Sequence, residues 1–600
     1  MAEALVTGSI QAPGFSGLDI QDASVQLTSG YALEAFNCVI DKYGRIGARK
    51  GWTKVNTTAQ NTDKFKTVFE FVKSDGNMLM SAAGNKLFVG TTSLLEYPIG
   101  GIKFLTGTYV WSGTSLVVTT VTSHSYADGT KVYVGINENT APSGIYTIVS
   151  HTGTTFTVVA SSSGSASGSC VSIDLLTYTI TDDNWQVASM PYNSGGNASA
   201  HCIWAQKDHP TLIFHKLGAS NHLHVDGYGF QRLGDIATLP TGYTVDTFTP
   251  DCALTAYGRL WTANITGNNQ TIYFSDLQNP ANFTTGTAGY LDISTVIPTG
   301  DGIVALAAHN GFLIIFCHHN ILIYANPKDP ATMTLQDNIK GIGCISRDSV
   351  ASVFGSDIMF LSETGVQSLG RLIQEKSMPL RDVSKNVRDD LIANVNTEVL
   401  KDIKGVYYPN DAMYLLSLPV TGFTYCFDTR GTLDNGAART TVWKDMVPRS
   451  FCVLENRDLY IGKTSYIGKY NGYQDNGAAY RWSYYTNYFD FDQPNTIKIL
   501  KKLGLVVIGG GNQIISIKWG FDYTNNYNSS VLPLKSISVY EYGIAEYGIA
   551  QYTNGIALDT VKFNASGSGK VLQIGFESDI NGSPLSIQKV DVAVKTGKNI

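Results

Sequence analysis

A chain of 600 residues is too long for one hydrophobic core, and 43% hydrophobic residues are enough to pack several. Only 15% of residues are charged and the net charge is −6, which gives no overall basic footprint for wrapping nucleic acid. The start, Met1-Ala2-Glu3-Ala4-Leu5, lacks the basic segment and apolar core of a secretory signal, and no apolar run reaches bilayer length, so no stable membrane insertion is expected.

The place of the missing charges is taken by Gly, Ser, Thr, Asn and Tyr, with 60 Gly and 33 Tyr. Gly and Asn accept the positive φ of tight turns, while Tyr and Thr suit pleated surfaces, so the composition predicts an all-β protein. In chain order a turn residue, an apolar strand, a short loop and a second strand recur. The first such unit is 85–89 with 94–97, followed by 210–214 with 222–225, 258–261 with 271–274, and 311–314 with 321–324. Three more follow, at 357–360 with 366–369, 412–415 with 423–426, and 458–461 with 466–470. The matching positions are Leu87, Leu212, Leu260, Leu313, Met359, Tyr414 and Tyr460. Five of the six steps between them fall near the ~40–50-residue period of propeller blades. The step from Leu87 to Leu212 is far longer, and removing 101–175 restores the spacing.

The pattern predicts a β-propeller of six to eight blades, since a lone blade cannot bury both its faces. Hairpins at ~8–12-residue spacing also fit a β-sandwich or tandem β-domains. The expected domains are 1–100 (N-terminal arm and first blade), 101–175 (an inserted small β-barrel or sandwich), 176–490 (the remaining blades) and 491–600 (a C-terminal β-sandwich-like domain). The insertion ends in Ser161–Ser169, whose Ser/Gly composition reads as a flexible linker. Near the C-terminus, 541–545 and 546–550 repeat Glu-Tyr-Gly-Ile-Ala, a period of five that suits neither helix nor strand and reads as a Tyr-rich loop.

Chemistry is sparse. The sequence has no GxSxG elbow and no P-loop, so no catalytic residue is assigned and neither enzyme activity nor a cofactor is expected. His209, His215, His222 and His224, with Asp226 behind them, form the one cluster to weigh. Strand alternation puts His222 and His224 on one face, where two imidazoles could share a metal or His224 could serve a cross-strand role. No metal ligand is assigned on spacing alone. His318 and His319 point to opposite faces and cannot chelate from a strand. The eight cysteines (Cys38, Cys170, Cys202, Cys252, Cys317, Cys344, Cys426, Cys452) are scattered singly, as expected of buried free thiols.

The opening stretches Gly14–Asp19, Ala32–Cys38 and Asp41–Trp52 resemble the N-terminus of podophage tail nozzle proteins, the tail tubular protein B family. Gly258–Trp261, Ile272–Ser275 and Asn279–Phe283 extend the resemblance, as do Gly341–Cys344, Asp357–Val366 and Asp475-Asn476-Gly477. It covers roughly 14–490 in patches, and the order of the motifs is its strongest signal. The resemblance implies a structural virion protein in the viral tail, assembled in the host bacterial cytoplasm. Its implied form is a homo-oligomer, a hexameric ring below the portal and adaptor, with tail fibres or spikes as neighbours. That ring would retain double-stranded DNA and conduct it at ejection, without sequence-specific binding. Arg45, Arg49 and Lys50 form a basic stretch that reads either as a DNA contact or, more simply, as a solvated turn. The competing function is a tail-surface propeller that binds or cuts host glycan, as a receptor-binding protein or depolymerase.

Overall fold

The computed structural model describes residues 5–599 apart from 25–26, 74–75, 98, 137–140, 176–179, 195–196, 217–227, 354, 376–381, 510–512, 525 and 535–556. The chain divides into two compact units: residues 56–347 with 464–466, and residues 1–55 with 348–463 and 467–600.

The first unit is a series of antiparallel four-stranded meanders. The first is Thr67–Phe71, Met78–Ala83, Lys86–Val89 and Leu95–Tyr97. The second is Gln186–Ser194, Asn197–Gln206, His209–Lys216 and Tyr228–Arg232. Then come Cys252–Ala256, Arg259–Ile265, Asn268–Phe274 and Gly289–Asp292, and last Ile303–His309, Phe312–Cys317, Asn320–Ala325 and Thr334–Lys340. Three of their two-residue hairpin turns, Gly84-Asn85, Tyr257-Gly258 and Asn310-Gly311, have both residues at positive φ. That conformation matches the right-handed twist of the strands it joins, which is why Gly and Asn punctuate the repeat.

Strand alternation glues each meander to the next. In the second, Trp204, Leu212 and Phe214 pack back onto Phe71, Met80 and Leu87 of the first. Their neighbours Ile203, Ala205 and Ile213 pack forward onto Phe248, Leu260 and Ile265 of the third segment. There Trp261, Ile272 and Phe274 in turn meet Leu313, Ile315 and Leu322 of the fourth. Both faces are apolar, so the inner strands read as unbroken hydrophobic runs, and each buried large side chain contributes about 1.5–3 kcal/mol.

Between the first two meanders runs a small closed barrel made of Ile99–Thr120, Lys131–Ile136, Gly144–His151 and Thr155–Leu175. Lys131–Ile136 pairs with Gly144–His151, which pairs with the start of Thr155–Leu175, whose far end returns to Lys131–Ile136. Its core holds Tyr109, Trp111, Leu116, Val118, Val132, Val134, Ile148, Phe156 and Val158. The Ser/Gly run expected to be a linker is instead strand: Ala166, Ser167, Gly168 and Ser169 pair with Trp111, Val110, Tyr109 and Thr108. The serines at 161, 163, 165, 167 and 169 point outward, while Gly164, Ala166 and Gly168 point inward. A Cβ on Gly164 would lie 2.3 Å from the Trp111 ring, and one on Gly168 3.3 Å from Tyr109. Small residues are there because two large rings occupy the space above them.

The second unit holds a three-stranded sheet, Ala351–Val353, Asp357–Ser362 and Gly365–Ser368, and a four-stranded sheet, Ser450–Val453, Leu459–Gly462, Ile467–Tyr470 and the N-terminal Trp52–Lys54. Between them in sequence, the meander Lys404–Tyr408, Met413–Leu418, Phe423–Thr432, Ala438–Lys444 opens a ten-stranded sheet. That sheet continues through Gly17–Leu18, Tyr31–Phe36, Tyr480–Thr486, Leu572–Ile580, Ile514–Phe521 and Asn528–Pro533. A seven-stranded sheet joins Leu5–Gln11, Cys38–Ile40 and Ile46–Ala48 to Thr496–Gly509, Ala557–Asn564, Ser568–Gly569 and Leu585–Asn599.

The fold is all-β with a propeller-like arrangement of blades. The expected six to eight blades are corrected to five that stand as separate sheets. All seven repeat positions do fall on meander strands. The meanders around Leu212 and Tyr414, however, do not end at their outer strands. Phe230 pairs with Ile99, and Thr440 and Val442 pair with Gly17 and Phe36, merging them into wider sheets. The predicted strand 222–225 and the repeat 541–550 lie outside the described residues.

Candidate functional site

Of the basic stretch, Arg45 and Lys50 are half-buried, and Arg49 is neither in a solvated turn nor available to DNA. Arg49 is 0% exposed. Its Nη1 and Nη2 donate to Asp475 Oδ1 and Oδ2 at 2.8 and 2.7 Å, and its Nε donates to Asn37 Oδ1 at 2.9 Å. The guanidinium stands 4.0 Å from the centroid of the Tyr480 ring. Arg45 is paired with Asp41 at 2.5 Å, and Lys50 lies 3.9 Å from Asp411. A buried guanidinium is stable only when its donors are matched, and this one is matched by a carboxylate, an amide and an aromatic face. Nearby, burial pushes the Lys463 amine down to about 8, with its Nζ 5.4 Å from the Trp52 ring.

Of the histidine cluster, His222, His224 and Asp226 lie outside the described residues. His209 is buried with its ring 4.8 Å from Trp185. His215 shares a 2.8 Å hydrogen bond with Gln231 Oε1 and faces His201, ring to ring, at 5.4 Å. Burial and then the neighbouring His215 push His201 down to about 3. His318 and His319 are exposed in a turn, 6.4 Å apart. Among the described residues, no group of three or more His, Cys, Asp or Glu is placed to hold a metal ion. All eight cysteines are buried as free thiols.

The most built polar surface is one that sequence reading missed, on the outer face of the ten-stranded sheet. In Tyr480–Thr486, the odd residues Arg481, Ser483 and Tyr485 share one face, exposed at Arg481, half-buried at Tyr485 and buried at Ser483, while Tyr480, Trp482 and Tyr484 are buried on the other. Tyr485 lies across from Gly575, Ser483 from Glu577 and Arg481 from Asp579, with Lys518 beyond Gly575 on the next strand. A Cβ on Gly575 would sit 2.3 Å from the Tyr485 ring, and one on Gly520 3.0 Å from the Tyr527 ring. Each glycine is therefore a notch over which a tyrosine is laid. The two rings are 5.5 Å apart at 65°.

Glu577 ties this face together. It accepts from Tyr485 Oη at 2.5 Å, from Lys518 Nζ at 2.7 and 2.8 Å, and from Arg481 Nη2. Burial alone would raise its carboxyl, but donation from Lys518 and Tyr485 and the charge of Arg481 hold it below the usual glutamate range. Arg481 Nη1 also donates to Asp579 at 3.0 Å, Ser483 Oγ to Glu34 at 2.5 Å, and Tyr527 Oη to Gln573 Oε1 at 2.6 Å. The sequence signal is the alternation Arg-Ser-Tyr within 480–486, but the partner strands begin 34 and 92 residues after it begins. On the barrel, a separate open pocket of about 400 Å³ is lined by Thr106, Thr108, Thr119, Thr120, Val121 and Ser169.

Neither a family model nor a curated protein matches the sequence. Among solved structures, the chain is similar to the WD40 domain of Neurospora crassa Pan2, at 10% identity over 70% of this chain and 89% of that one, TM-score 0.22. It is similar to the β-propeller domain of Myceliophteria thermophila Cps50 (Swd1), at 9% identity over 61% and 96%, TM-score 0.23. A third is the endosialidase of phage phi92, at 12% identity over 82% of this chain and 65% of that one, TM-score 0.21. Likenesses of this size carry neither a site nor an activity across to this chain.

Proposed function

We propose that this chain is a structural virion protein of a short-tailed phage, the tail nozzle. In this reading six copies form a ring below the adaptor that retains packaged DNA and conducts it during ejection. The reading is supported by the ordered motifs from Gly14 to Gly477 and by one observation above the rest. Two stretches of that resemblance far apart in sequence, 41–52 and 475–477, are joined by the buried Arg49–Asp475 pair. Residues so placed are demanded by the architecture, which is why a structural family would carry them as a motif. The test is electron microscopy of the purified protein and of the virion. A six-fold ring on the tail axis is the expected result, and peripheral trimers would overturn it.

A second reading, a tail-surface propeller that binds host glycan, is favoured by the Tyr485–Tyr527 face. Aromatic faces set among charged and amide groups are what sugar recognition needs.

A further inference from the structure

We infer that the outer face around Tyr485 and Tyr527 is a carbohydrate-binding site that takes a pyranose unit of a bacterial surface polysaccharide. The inference rests on the glycan-binding reading above. A sugar ring offers one face of C–H groups and an equator of hydroxyls. It is held by an aromatic plane for the first and by fixed donors and acceptors for the second.

Both are present, and both are set in advance. The Tyr485 hydroxyl is tied to Glu577 and its ring lies over Gly575; the Tyr527 hydroxyl is tied to Gln573 and its ring lies over Gly520. Neither ring has to be ordered on binding, which removes an entropic cost that a free side chain would carry. Their planes meet at 65°, forming a corner instead of a flat wall, and both tyrosines are half-buried. Around the corner stand Lys518, Arg481 (52% exposed) and Asp579 (70% exposed). These offer charged donors and acceptors for the hydroxyls of the sugar.

The same residues argue against two other ligands. Glu34, Glu577 and Asp579 set three carboxylates on this face, which would repel the phosphates of nucleic acid. Positive and negative groups also alternate within a few ångströms and pair with one another, so the face has no single sign to steer a charged protein partner.

The experiment uses the full-length protein on a printed array of bacterial lipopolysaccharides and capsular polysaccharides, followed by titration of the strongest ligand. Tyr485→Ala should weaken binding by about tenfold or more. Tyr485→Phe keeps the ring but loses its tie to Glu577, and should weaken binding less than Tyr485→Ala. Tyr290→Ala, a 68% exposed tyrosine elsewhere, should change nothing. Circular dichroism melting checks that each variant folds, and Tyr527→Ala at the sheet margin reads the same loss should Tyr485→Ala not fold. If the wild type binds a polysaccharide and both alanine variants bind equally well, the site is wrong and the glycan reading stands. If the wild type binds nothing on the array, both fall.

Discussion

Arg49 and Asp475 lie 426 positions apart in sequence and meet as a two-pronged ion pair at 2.7 and 2.8 Å, with the arginine fully buried. The pair fastens the turn that follows Ile46–Ala48 to the loop that follows Ile467–Tyr470. Removing one partner leaves the other charge without its match. Arg49→Met should therefore cost about 3 kcal/mol, the low end for a broken buried pair. Urea unfolding would read this, and a loss under ~0.5 kcal/mol, ordinary for a surface change, would mean the pair is dispensable.

The barrel should be removable. Its ends are neighbours, since Gly100 pairs with Leu175. Replacing residues 101–175 by a short Gly/Ser loop should leave a folded protein, with the β-rich circular dichroism of the blades intact. An aggregated or unfolded product would show that the blades need the barrel.

Gly164 should be the sensitive position in a run that otherwise looks interchangeable. Gly164→Val must displace the Trp111 ring, an overpacking that costs about 1–3 kcal/mol, whereas Ser165→Thr on the outer face should be neutral. Limited proteolysis provides a second check, because paired strand should resist cleavage at 161–169 where a linker would be cut first.

Stability should fall on acidification partly through His201. In the unfolded chain its imidazole takes up a proton near 6.5, while in the fold burial holds it neutral down to about 3. Between those values the unfolded state binds more protons, so stability is lost as pH falls through that window, by up to about 3 kcal/mol at pH 4. His201→Gln should flatten that part of the pH profile in chemical denaturation. An unchanged slope between pH 6.5 and 4 would assign the acid sensitivity elsewhere.

Duplex DNA should bind the soluble protein weakly and with little dependence on salt. Arg45, Arg49 and Lys50 each have a carboxylate beside them, and the chain carries a net −6. Few phosphates can then be neutralised, and the slope of log affinity against log salt should stay shallow. A steep slope in filter binding would reveal a basic DNA-binding surface and count against the proposed conduit.

The blades were legible because their signal is local: a tight turn and an apolar run, repeated at a nearly constant spacing. What was not legible depends on partners far along the chain. Ser161–Ser169 has a linker's composition, and it becomes strand because Tyr109 and Trp111, some fifty residues earlier, need small neighbours. Arg49 looks like one of three surface charges until Asp475 arrives. Two meanders run on into wider sheets through Gly17, Phe36 and Ile99, none of which advertises an edge partner. Tyr485, Glu577 and Lys518 come together only because the strands Tyr480–Thr486, Leu572–Ile580 and Ile514–Phe521 lie side by side out of sequence order.

The pairing of Leu5–Gln11 with Lys589–Lys595 imposes a timetable on synthesis. Leu5–Gln11 leaves the ribosome long before its partner strand is made. At about 5–20 residues per second it waits on the order of half a minute to two minutes. The unit of residues 56–347 can fold in that interval, but the sheet containing Leu5–Gln11 cannot close. A chain cut short before residue 589 would thus keep its early blades and lack the seven-stranded sheet that Leu5–Gln11 joins.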